Sequence, residues 1–179
     1  MLLDHLFAKS KELGVPSMLL TFEPQPREYF AGEKVPARLT RFREKAELLA
    51  CLDVDRFLCV PFNSRVADTR PEVFIDELLV DRLGVRHLVV GDDFRFGHNR
   101  EGDFALLERV GRELGAPPAG PDMAKAAKGC GFSVQDLHTI KHNEERISST
   151  RIRELLAIGD FEQAAHLLGR PYRICGRVG

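Results

Sequence analysis

The groups best suited to chemistry fall in three short clusters. The first is Arg146-Ile-Ser-Ser-Thr-Arg-Ile-Arg153. The apolar spacing that follows puts Ser148, Ser149 and Thr150 at the start of a helix, where free backbone N–H groups favour an anion. Arg146, Arg151 and Arg153 add charge that persists at any relevant pH, so a nucleotide triphosphate is a candidate ligand. On spacing alone the simpler account is favoured: Ser149 or Thr150 is an ordinary N-cap and the arginines are a solvated face. The second cluster, Gly91-Asp-Asp-Phe-Arg-Phe-Gly97, follows a short apolar run. Asp92 and Asp93 could meet a cation or ligand hydrogens, and Phe94 and Phe96 offer flat apolar faces. A strand-to-helix turn anchored by buried aromatics explains it equally well. The third, Thr21-Phe-Glu-Pro-Gln-Pro26, is stiffened by two prolines; alone, it reads as a rigid turn.

These clusters need elements to position them. The periodicity predicts a helix over 2–13, stopped by Gly14 and Pro16, and a buried strand over 17–22. A loop is expected from Glu23 to Thr40, with Thr40 capping a helix over 41–52. A strand over 55–60 follows. Thr69 and Glu72 have capping-box spacing ahead of Val73, Phe74, Leu78, Leu79 and Leu83. Then come a strand over 87–90, a helix from Asp103, a weaker strand over 132–137, and helices over 150–158 and 160–168. Alternating helices with near-continuous apolar strands predict an α/β fold with a parallel sheet covered on both faces. Ligands of such sheets sit beyond the carboxyl ends of the strands, which directs attention to the loops after Phe22, Val60, Val90 and Leu137. The segment Ala116–Gly129 reads as a surface insertion.

Composition narrows the functions. At 179 residues the chain fits one domain, and a net charge of -1 gives no electrostatic case for nucleic acid or an anionic membrane. No apolar run approaches the ~18 residues of a membrane span. Cys51 and Cys59 read as small core residues; with Cys130 and Cys175 they form no C-x-x-C pair, and a reduced, cytoplasmic protein is expected. There is no G-x-G-x-x-G fingerprint after a strand, no P-loop and no G-x-S-x-G elbow. His138 and His142 have helical spacing, but 139–143 reads as loop, so no metal site is assigned.

The order of TFEPQPREYF, PARLT, REKAELLA, VGDDFRFG, REGDF and RISSTRIRELLAIGDFEQAAHLLGRPY resembles the FMN adenylyltransferase (FAD synthetase) domain of prokaryotic bifunctional riboflavin kinase/FAD synthetases. The resemblance covers nearly the whole chain outside Ala116–Gly129. It implies a nucleotidyltransferase-type, Rossmann-like fold, and transfer of the adenylyl group of ATP to FMN with Mg²⁺, giving FAD and pyrophosphate. It implies that Ser148, Ser149, Thr150 and Arg153 grip the ATP phosphates. Asp93, Phe94 and Phe96 would lie by the flavin, with Asp93 and Arg153 acting on the reacting groups. Pro24, Gln25 and Pro26 would border the flavin; many relatives have His in place of Gln25.

The chain departs from the family at both ends. Members open with a strand and a G-x-F-D-G-x-H-x-G-H segment, whose histidines face the phosphates. Here the expectation is an adenylyltransferase domain over 1–172 without its first strand and histidine motif. Residues 173–179 would begin a linker to an absent riboflavin kinase domain. Either Met1 is internal to a longer reading frame, the preferred account, or the chain is a truncated remnant. Losing charge-stabilising donors costs about 10² to 10³ in rate each, so impaired turnover is expected. The alternative is a non-catalytic flavin- or nucleotide-binding remnant. A relative acting on another phosphate or sugar alcohol is disfavoured by the Phe94/Phe96 pair.

Overall fold

The structure is a computed structural model that describes residues 2–32, 35–91, 93–115, 131–137, 141–142 and 145–174. The chain divides into two compact units, 1–137 and 138–179.

In the first unit, the helix Leu2–Leu13 leads into β1 (Met18–Glu23), which pairs in parallel with β2 (Arg56–Pro61). Ser17 fixes the start of this pair. Its N–H and its hydroxyl both donate to the Asp55 carboxylate at 2.7 Å, and the Asp55 N–H donates back to Ser17 Oγ at 3.0 Å. These bonds to the ionised form, the hydroxyl's first, hold the Asp55 carboxyl below the usual range. A second parallel pair joins β3 (His87–Gly91) to β4 (Ser133–Leu137). The core gathers Ile75, Leu79 and Val80 with Val90, Phe96, Leu107 and Phe132, so it lies directly under β3 and the turn that follows it. Between β1 and β3 runs a groove of about 460 Å³, lined by Leu6, Leu13, Met18, Leu20, Val85 and Leu88 among others.

The second unit holds a short antiparallel pair, β5 (Lys141–His142) with β6 (Glu145–Arg146). Two helices follow, Ser149–Ala157 and Phe161–Leu168, the second capped by Asp160, whose carboxylate accepts the Gln163 N–H at 3.0 Å. Ile152, Leu155 and Ala164 are buried. Among the described residues, no helix is long and apolar enough to cross a membrane.

Parallel pairing of near-continuous apolar strands matches expectation; several details do not. The expected loop from Glu23 to Thr40 contains a helix, Pro26–Ala31. Pro26 holds its first position, where a missing N–H costs nothing. The next helix runs Phe42–Ala50 with Arg41, not Thr40, at its N-cap. The box between Thr69 and Glu72 does not form: the Thr69 hydroxyl donates to the Arg65 carbonyl at 2.7 Å, and Pro71 starts the helix behind Arg70. From Phe74 to Arg82 that helix is wound more widely than an α-helix, with the Leu83 N–H reaching the Leu78 carbonyl at 3.0 Å. Cys51 is exposed because it ends the helix Phe42–Ala50; Cys59 is half-buried in β2. His142 stands in a strand, not the loop expected. His138, the Ala116–Gly129 insertion, Cys130 and Cys175 lie outside the described residues.

Candidate functional site

The loop after β1 is built around one guanidinium. The backbone leaves β1 at Glu23 through a cis Glu23–Pro24 bond, and Gln25 caps the Pro26–Ala31 helix in an extended conformation. The Glu28 carboxylate, in the first turn, accepts the Gln25 N–H at 3.1 Å. Arg38 then bridges both flanks of the loop. Its Nη1 and Nη2 donate to Glu23 at 3.1 and 2.6 Å, and its Nε and Nη2 donate to both oxygens of Glu28. All three side chains are less than one-third exposed. The bond from Arg38 holds the Glu28 carboxyl below its ordinary range against the opposing effect of burial. In return Glu28, then Glu23, bind the Arg38 proton more firmly than usual.

The turn after β3 is held by packing instead. Phe94 N–H closes onto the Gly91 carbonyl at 3.1 Å, and Phe96 exchanges backbone bonds with Gly102 at 3.1 and 2.9 Å. Phe96 is only 7% exposed; it is an anchor, as the buried-aromatic account of this cluster has it. Its ring stacks on Phe94 at 5.5 Å and meets Phe74 at 5.4 Å. Phe94 is half-buried and Asp93 is exposed. Two glycines make the close packing possible. A Cβ on Gly102 would lie 2.7 Å from the Phe96 ring, and one on Gly97, at φ +74°, would lie 2.7 Å from Pro71. Asp92 lies outside the described residues.

A row of aromatic rings joins the two loops. Tyr29 meets Phe62 at 5.3 Å, Phe62 meets Phe22 at 5.6 Å, Phe22 meets Phe74 at 6.5 Å, and Phe74 leads on to Phe96 and Phe94. Tyr29 is 41% and Phe30 69% exposed, and Phe30 also packs on Phe62 at 5.8 Å. The structure therefore places Phe94 and Phe96 on one aromatic row with Tyr29, whose helix begins at Pro26 directly after Pro24 and Gln25. Sequence reasoning had missed Phe62 and Arg38. Phe62 follows β2 directly, so its place at a strand's carboxyl end was the available signal.

In the second unit, Ser148 is the N-cap, and its Oγ accepts the Arg151 N–H at 3.1 Å. The expected caps, Ser149 and Thr150, are the first two helical residues, and both are exposed. Arg153 Nη1 donates to the Ser149 carbonyl at 3.1 Å, which carries the guanidinium back along the helix to its mouth. Arg151 Nη1 lies 3.5 Å from Glu154. Hydroxyls, a guanidinium and the positive end of the helix thus meet at one place, suited to a polyanion.

Residues 1–118 match the family model described as FAD synthetase. The chain belongs to the FAD synthetase family. It is 44% identical over 177 residues to a bifunctional riboflavin kinase/FMN adenylyltransferase of Pseudomonas fluorescens, covering 99% of this chain and 51% of that protein. It is 43% identical over 176 residues to the like-named protein of Haemophilus influenzae, covering 98% and 52%. The chain spans about half the length of the curated relatives it matches. These alignments, unlike the FAD synthetase model, take in both units. A solved structure titled as a macrolide-efflux protein from Streptococcus pneumoniae shares the fold, with a TM-score of 0.66 at 19% identity over 98% of this chain and 55% of that one.

Proposed function

We propose that this FAD synthetase-family chain binds FMN and ATP and transfers the adenylyl group between them. An oxygen of the FMN phosphate attacks the α-phosphorus of ATP, the bond from that phosphorus to the bridging oxygen breaks, and pyrophosphate leaves with FAD as the other product. Such a step gains from positioning and charge neutralisation, with no covalent protein intermediate.

The observation that carries this is the aromatic row at the strand ends, linking the Pro24–Pro26 loop to the Asp93–Phe96 turn. That edge of an open α/β sheet is where ligands bind, and a flavin is flat, aromatic and largely apolar. In this assignment Pro24, Gln25 and Pro26 border the ring system, Phe94 offers its exposed face, and Phe96 backs Phe94 from the core. Asp93 meets the reacting groups. Ser148, Ser149, Thr150 and Arg153 grip the ATP phosphates.

Mg²⁺ would travel with ATP. It keeps much of its shell in phosphate oxygen and water, so it needs no preformed cage; among the described residues no cluster of three or more His, Cys, Asp or Glu could hold a metal. The finer fold is a Rossmann-like sheet with one further strand between β1 and β3, supported by the groove there. Flavin and nucleotide substrates suit the cytoplasm.

The test is incubation with FMN, Mg²⁺ and ATP labelled at the α-phosphorus. Label in FAD, even at a slow rate, is the expected result. Flavin quenching without label would support the non-catalytic binder instead. Neither quenching nor label would overturn both.

A further inference from the structure

The loop between Glu23 and Glu28 contains the three residues assigned to the flavin border. Its flanks belong to different elements: Glu23 ends β1, and Glu28 lies in the first turn of the Pro26–Ala31 helix. A single side chain from a third stretch of chain, Arg38, holds both carboxylates. Two negative groups so placed repel one another, and a planar guanidinium can satisfy both at once, where an ammonium offers no matching fork. The Glu28 carboxylate also accepts the Gln25 N–H, so the bridge reaches the backbone of the loop itself. Partial burial of all three side chains reduces the screening by water and salt that makes surface ion pairs weak.

We propose that Arg38 is a positioning residue for the flavin: by clamping Glu23 and Glu28 together it fixes the Pro24–Gln25–Pro26 loop in the shape that borders the ring. This rests on the function proposed above. Arg38 itself touches no reacting group. Without the clamp the loop samples other conformations, and the fraction able to take FMN falls. ATP affinity is untouched, because the Ser149–Arg153 helix mouth contains none of these residues.

The experiment compares FMN binding, by flavin fluorescence, with ATP binding, by calorimetry, in the parent protein and in Arg38→Gln, Arg38→Lys and Glu28→Gln. Arg38→Gln is expected to weaken FMN about tenfold while ATP changes less than about twofold, since one kcal-scale clamp is lost. Arg38→Lys should recover part of the loss, and Arg38→Gln combined with Glu28→Gln should be no worse than Arg38→Gln alone. If Arg38→Gln does not fold, the same FMN-selective loss must appear in Glu28→Gln and Arg38→Lys. Folded variants with parental FMN affinity overturn the clamp and leave the proposed function standing. Equal losses of FMN and ATP overturn it too, since that pattern marks a general structural role. A parent that binds ATP but not FMN overturns the flavin assignment itself, and the clamp's role with it.

Discussion

The loop after β1 and the turn after β3 stand on one aromatic framework but are held by opposite means. Charge holds the first: Arg38 is clamped between Glu23 and Glu28. Packing holds the second: Phe96 is sunk in the core, and Gly97 and Gly102 leave room for Pro71 and for the Phe96 ring. The difference teaches how each can be adjusted. A packed turn is nearly rigid and insensitive to salt, whereas an ion-paired loop responds to ionic strength and pH.

The largest effects should come from breaking the packed side. Phe96→Ala removes a buried ring touching Phe74 and Phe94 and is expected to cost about 3–5 kcal/mol in urea unfolding, with little change between low and high salt. Gly102→Ala forces a methyl group against that ring and is expected to cost about 1–3 kcal/mol. The charged side should yield less. Arg38→Gln is expected to cost about 1 kcal/mol, and the cost should shrink in high salt. A salt-independent loss at Arg38, or a strongly salt-dependent one at Phe96, would erase the contrast. In the second unit, Ser148→Ala removes the cap on the Arg151 N–H and should cost about 1 kcal/mol of helix stability, read by circular dichroism.

Acid should weaken the fold in two stages. Burial lowers the folded pKa of His87, at the start of β3. The unfolded chain therefore takes up this proton first, and stability falls as pH drops from about 6.5 towards the folded value. Glu28 and Asp55 are lowered by the bonds to Arg38 and Ser17. Their contribution is present above about pH 4 and is lost as pH falls through their folded values. Unfolding free energy measured against pH should show two steps, with the upper one removed by His87→Gln.

Much of the fold was legible because β1, β2 and β3 carry near-continuous apolar runs between helices, the pattern of buried parallel strands; β4, Ser133–Leu137, is mostly polar and gave the weaker signal. Two helix starts were legible to within one residue: Asp103 and Asp160, expected as first residues, are the N-caps of helices that begin at Phe104 and Phe161. Local spacing failed where a nearby residue competed. Thr69 found the Arg65 carbonyl before any helix N–H. Pro24 and Pro26 suggested only a stiff loop, because the Pro26–Ala31 helix depends on Glu28 and on Arg38, ten residues further along. The wide winding of Phe74–Arg82 left no mark, since its apolar positions also fit an ordinary helix. Within Gly91–Gly97, the buried-aromatic account holds for Phe96, while Phe94 and Asp93 keep accessible surface. Arg38 could not be found from spacing, as nothing local ties it to Glu23.

The most direct test is the pair of dissociation constants, for FMN and for ATP, in Phe94→Ala and Arg153→Ala. If the flavin lies at the strand ends and the triphosphate at the helix mouth, Phe94→Ala weakens FMN and spares ATP, while Arg153→Ala weakens ATP and spares FMN. A parent protein that binds neither ligand, or variants whose losses fall on the opposite ligand, would contradict that division of labour.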